Sequence, residues 1–134
     1  MDNCIFCRII AGDIPSTKIY EDDSVIATLD INPAAPGHTL IIPKAHHNDL
    51  NDGMDEALLG HLFHTAALIG ERQKERLHAD GFNVLQNNGT AAGQSVMHFH
   101  MHVIPRYNND EVLGLWTPLS PSMDEIAEMG KKLS

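Results

Sequence analysis

His98-Phe99-His100-Met101-His102-Val103-Ile104-Pro105 decides how this chain is read. Three histidines alternate with apolar residues. A strand has a side-chain period of two, so His98, His100 and His102 share one face and Phe99, Met101 and Val103 the other. One face is expected to be core, the other a row of imidazoles. Histidine is the side chain best suited to nucleophilic, acid–base and metal chemistry near neutral pH. Neighbouring row members lie roughly 6.6 Å apart along a strand and the outer two roughly 13 Å. The row therefore reads as successive stations rather than one three-ligand cup. Two chemistries remain open on these residues alone: a covalent histidine nucleophile, or a metal hydrolase in which adjacent histidines hold an activated zinc-bound water.

Upstream of the row, Asn87 to Ser95 is a small, polar, glycine-bearing loop, and Phe82 to Gln86 is an expected strand. Before these, Met54 to about Ala79 carries Leu58, Leu59, Leu62, Ala66, Ile69 and Leu77 at helical spacing, with Asp80-Gly81 as the stop. That helix would run roughly 35 Å. Lys18 to Glu21, Ser24 to Asp30 and Gly37 to Pro43 are expected strands, and Ile5 to Ile10 a short helix. Downstream, Ser122 to Leu133 is a terminal helix, with Ser122 and Glu125 as a capping box. Mostly consecutive strands with one long helix give an α+β class, expected as a mostly antiparallel sheet.

The 134 residues suit one domain, with residues 108–134 as a C-terminal tail and helix. The formal charge of −9 argues against a nucleic-acid groove. It leaves room for a small anion held by amides and histidines. No apolar run approaches the ~20 residues of a membrane span, and no secretory signal is visible, so a cytoplasmic location is expected. The only cysteines, Cys4 and Cys7, form a CxxC pair that reads as a metal site, a redox dithiol or two free thiols.

The row resembles the histidine-triad (HIT) signature, His-φ-His-φ-His-φ-φ. Asp30-Ile31-Asn32-Pro33, Pro36 to Lys44, Asn87 and Gly93-Gln94-Ser95-Val96 resemble the family's other blocks in order and spacing. The resemblance covers about residues 4–107. It implies a homodimer that cleaves purine nucleotide derivatives at the α-phosphate, such as adenosine phosphoramidate or adenylyl-lysine. His100 would be the nucleophile, forming a nucleotidyl-histidine that water resolves to the nucleoside monophosphate. His102 would contact the phosphate and His38 orient the catalytic imidazole. Gln94, Ser95 and Asn87 would give polar contacts, and Asp30 would hold the ribose. Ile5, Phe6, Ile9, Leu29 and Ile31 would wall the base pocket. The resemblance further implies a structural zinc on Cys4, Cys7, His46 and His98, with His47 a rival to His46. His61, His64 and His78 are read as ordinary. Arg106 and Gln94 are similar to the branch that splits diadenosine polyphosphates, an alternative reading, and the tail beyond Pro105-Arg106-Tyr107, which holds Trp116, departs from the short-tailed purine phosphoramidase branch. A nucleotide-binding interaction module with incidental turnover is another.

Overall fold

The structure, a computed structural model, describes residues 3–134. The N-terminal helix α1 spans Ile5–Ile10. Two short strands follow, β1 (Lys18–Glu21) and β2 (Val25–Leu29), and then β3 (Thr39–Pro43). The long helix α2 (Glu56–Arg76) leads to β4 (Gly81–Gln86), a single 3-10 turn at Thr90–Ala92, and β5 (Met101–Arg106). Helix α3 (Met123–Leu133) ends the chain with the expected Ser122–Glu125 capping box. The strands form one antiparallel sheet in the order β1-β2-β3-β5-β4. The α+β class read from the sequence is the observed one.

Period-two patterning splits the sheet into two buried faces. Val25, Ala27, Ile41, Met101 and Val103 turn to one side, where Leu62, Ala66 and Ile69 of α2 cover them. Ile26, Leu40 and Ile42 turn to the other and meet Phe6 of α1. Each valine, leucine, isoleucine, methionine or phenylalanine among them, removed from water, contributes about 1.5–3 kcal/mol. Helix α1 has six residues, too few to be stable alone, so it persists by docking.

Both ends of α2 and the start of the histidine strand differ from expectation for local reasons. Helix α2 starts later, because the Asp55 side chain caps it by accepting from the Leu58 N–H at 2.7 Å. It stops earlier, because His78 sits at φ +58, a left-handed conformation that ends the ladder before Asp80-Gly81. The histidine segment pairs as a strand only from Met101. Ahead of it, the Phe99 N–H bonds to the His47 carbonyl at 2.7 Å, in the segment after β3 rather than in the β3 ladder. The alternation of faces survives this. Phe99 and Met101 enter the α2-side core, while His98 and His100 both stand against the Phe6 ring.

Candidate functional site

Two clusters share the α1 side of the sheet, and Phe6 separates them. Its ring meets His98 edge-on at 5.8 Å between centroids and His100 at 4.9 Å.

On one side of Phe6 lies a donor set of Cys4, Cys7, His46 and His98, whose ligand atoms all fall within 4.8 Å of one another. Cys4 Sγ is 3.3 Å from His98 Nδ1, and Cys7 Sγ is 3.3 Å from His46 Nδ1. The two Nδ1 atoms are 3.0 Å apart. His98 Nε2 lies 2.8 Å from the Pro43 carbonyl, which only accepts, so Nε2 carries the proton and Nδ1 is bare. His46 is set the same way by Asn48 Oδ1 at 2.9 Å. Two lone pairs thus face each other beside two sulfurs, an arrangement that a cation relieves. Burial keeps His98 neutral, with its pKa pushed down to about 4. Burial first, then the hydrogen bond and charge of Cys4, push the Cys7 thiol up to about 11, a proton that a bound metal would displace. The residues fit a four-ligand metal site. His47 is excluded from it, since its Nδ1 donates to the Asp52 carbonyl at 2.7 Å.

On the other side of Phe6 opens a cleft of about 350 Å³, lined by His100, His102, Asp30 and Ser95. Its tautomers follow from backbone partners. His100 Nδ1 lies 2.8 Å from the His98 carbonyl, so Nδ1–H donates and Nε2 keeps its lone pair. The Ala34 N–H donates to His38 Nδ1 at 2.9 Å, which leaves the His38 proton on Nε2. That proton points at His102 Nδ1, 2.9 Å away, with Asp30 Oδ2 at 3.5 Å. His102 Nδ1 therefore accepts, and its own proton sits on Nε2. Asp30, His38 and His102 also lie close enough to hold an ion, but here a proton satisfies the contact. Burial lowers the pKa of all three imidazoles, that of His102 to about 4. Asp30 partly opposes this at His38 and His100. At neutral pH the cleft therefore presents one bare imidazole nitrogen, on His100, and one N–H donor, on His102.

The apolar residues expected around a base, Ile5, Phe6, Ile9, Leu29 and Ile31, all line this cleft. Ile31 is 88 % exposed and Ile5 44 %, although both are large and apolar. Ile14, Pro15, Ser16, Thr28, Asn32, Leu40 and Val96 complete the wall and were not read from the sequence as lining residues. The period-two register was the available signal for Thr28, since Thr28 opposes Leu40, which opposes His102.

Gln94 and Asn87 do not line the cleft. Gln94 is buried. Its amide donates to the Asn48 and Val96 carbonyls at 2.6 and 3.0 Å and accepts from the Gly89 N–H at 2.8 Å. It braces the loop that presents Ser95. Asn87 lies against Gly93, which adopts φ +95. Arg106 is also absent from the cleft, being forked onto Asp110 and bonded to Asn83. His61 ties α2 to the β1–β2 turn through Asp22 at 2.6 Å, while His64 and His78 are exposed.

The chain is similar to known proteins over most of its length. A family model described as the HIT domain matches residues 11–109. "Protein hit" of Bacillus subtilis is 50 % identical over 113 residues, covering 84 % of this chain and 77 % of the relative. Adenosine 5'-monophosphoramidase HNT1 of Saccharomyces cerevisiae is 43 % identical over 133 residues, covering 97 % of this chain and 80 % of the relative. The crystal structure of a Zn-bound histidine triad family protein from Mycobacterium smegmatis superposes with a TM-score of 0.80 at 36 % identity, covering 98 % of each chain. With the HIT model matching residues 11–109 and a relative 50 % identical over most of the chain, this chain belongs to the HIT family.

Proposed function

We propose that this chain is a hydrolase that splits purine nucleoside phosphoramidates, of the adenosine phosphoramidate or adenylyl-lysine type, at the α-phosphorus. The observation that carries this reading is the His100 tautomer. A bare Nε2, held by a backbone carbonyl on the far nitrogen, stands in a cleft lined by both apolar side chains and polar groups. Attack by His100 Nε2 forms an N–P bond. The P–N bond to the leaving amine breaks, and its electron pair goes to that amine, which takes up a proton relayed from water across the Ser95 hydroxyl. His102 Nε2–H donates to a phosphoryl oxygen, and the His38 contact fixes it in that role. Water then attacks phosphorus and breaks the bond to His100. One proton leaves with solvent as the monophosphate forms. Asp30 offers a carboxylate to the ribose hydroxyls, and the isoleucine-rich wall offers an apolar slot to the base. The relative named adenosine 5'-monophosphoramidase supports this substrate class.

The metal proposed for Cys4, Cys7, His46 and His98 is zinc, for which a two-sulfur, two-nitrogen donor set is well suited. A bound zinc would supply charge and cross-linking there, tying α1 to the sheet. With four protein ligands it leaves no open position, so the catalytic work belongs to His100 and His102. The active unit is proposed to be a homodimer, supported by the exposed Phe63 on α2 and by Val84 and Leu85 on the edge strand β4.

The test is intact-mass analysis, at alkaline pH, of the enzyme rapidly mixed with adenosine phosphoramidate, beside His100→Ala. The expected result is a nucleotidyl adduct on the native chain alone. Turnover without an adduct, abolished by chelation, would replace this reading with a metal-activated water. Tight nucleotide binding with neither adduct nor turnover would make the chain a binding module.

A further inference from the structure

The α2 side of the sheet holds a second cleft, of about 390 Å³, which the reading above does not use. It lies between the second half of α2 and the ends of β2 and β3. Its volume falls within the ~300–1,000 Å³ of small-molecule sites. Ile19, Leu29, Pro36, Ile69 and Leu77 give it apolar walls. Arg72 and Arg76 stand over it. They are one helical turn apart, so both guanidiniums face the same opening. Two like charges at that spacing repel each other, and in a chain of charge −9 they have many possible carboxylate partners. Yet among the described residues neither forms an ion pair. Arg72 donates only to the Ile19 carbonyl, at 3.3 Å, and Arg76 makes no side-chain hydrogen bond. Between them sits Gln73, 4 % exposed, whose amide nitrogen donates to the Gly37 and Val103 carbonyls at 3.1 and 2.9 Å. Those two acceptors fix the amide orientation. Its oxygen is, among the described residues, the one buried side-chain nitrogen or oxygen without a partner.

We propose that this cleft is a second ligand site, for a small organic anion with a flat apolar body and one ring N–H. The anionic group would bridge Arg72 and Arg76, the body would pack between Ile69 and Leu77, and the N–H would reach the Gln73 carbonyl oxygen. The site is distinct from the catalytic cleft, although Leu29 borders both. Its floor includes Gly37, the residue before His38.

The test uses the full-length chain, ¹⁵N-labelled, with three probes: indole-3-acetate, 1-naphthaleneacetate, which lacks the N–H, and indole-3-ethanol, which lacks the charge. Indole-3-acetate should shift the amides of Gly37, Ile69, Gln73 and Leu77 saturably, with Kd below about 1 mM. The two analogues should each bind about tenfold or more weakly. An Arg72→Ala/Arg76→Ala chain should lose the response. It should still fold, since alanine is a strong helix former and neither guanidinium is buried. No shift with any probe at about 10 mM overturns the site. So does equal binding of the neutral probe, or an undiminished response in the double variant. Shifts at these amides that grow with protein concentration and no probe would assign the cleft to a second copy instead.

Discussion

At the residue scale, chemistry here is set by which nitrogen carries each proton. His100 and His102 belong to one segment, yet opposite tautomers follow from their partners, a carbonyl for one and an imidazole N–H for the other. His100→Ala should lower turnover on the order of 10³-fold or more while leaving nucleotide binding largely intact, measured by steady-state kinetics and calorimetry. His100 must be neutral to attack, and burial lowers its pKa, so the acid limb of kcat/KM should lie below the ordinary 6.5. A limb at or above 6.5 would contradict that. Stability has the same sign. His102 is held at about 4 against 6.5 when unfolded, so between these values the unfolded chain binds a proton that the folded chain refuses. Stability should fall as pH drops through that window. In thermal melts, His102→Gln should flatten part of the dependence.

At the element scale, α1 and the β1–β2 turn are the parts held by side chains rather than by their own ladders. Helix α1 is fixed by Cys4, Cys7 and Phe6. Removing the metal with a chelator, or substituting Cys7→Ser, should lower Tm while turnover measured well below Tm persists. An unchanged Tm would remove the metal from the account of stability. The β1–β2 turn is organised by Asp22, which accepts from the Ser24 and Val25 N–H groups at 2.9 Å and from the Tyr20 hydroxyl and His61 at 2.6 Å. Burial raises its pKa, but those four hydrogen bonds outweigh burial and hold the carboxyl well below its usual range. Its contribution is therefore full above the ordinary 3.8 and lost as pH falls below it. Asp22→Ala should cost about 1–2 kcal/mol in denaturant unfolding, because it removes the acceptor of part-buried donors on two elements at once.

At the scale of the whole molecule, one sheet separates two clefts, and apolar surface remains at its β4 edge and along the tail. Leu115, Trp116 and Leu119 are 92, 84 and 89 % exposed, as far from a core as side chains become. Helix α3 follows with Met123, Ile126, Met129 and Leu133 uncovered as well. Edge strands invite pairing, and β4 carries no lysine or proline to block it. Sedimentation at micromolar concentration should give a dimer, and Val84→Lys/Leu85→Lys should shift it toward monomer. A native monomer would refute the dimer.

The sequence by itself determined the elements and which face the histidine row takes, because alternation and capping are local properties that neighbouring residues impose. His98-Phe99-His100-Met101-His102 could bury Phe99 and Met101 only by turning the imidazoles the other way. Ser122 and Glu125 close their capping box within four residues. The tertiary structure decided what depends on distant partners. It selected His46 over His47, because a strand end and a loop aim one ring at Cys7 and tie the other to Asp52. It turned Gln94 from an expected polar contact into a brace, since its bonding partner at Asn48 lies far along the chain. It also set each tautomer, because the proton on a histidine goes to whichever nitrogen faces an acceptor, and that acceptor comes from the fold.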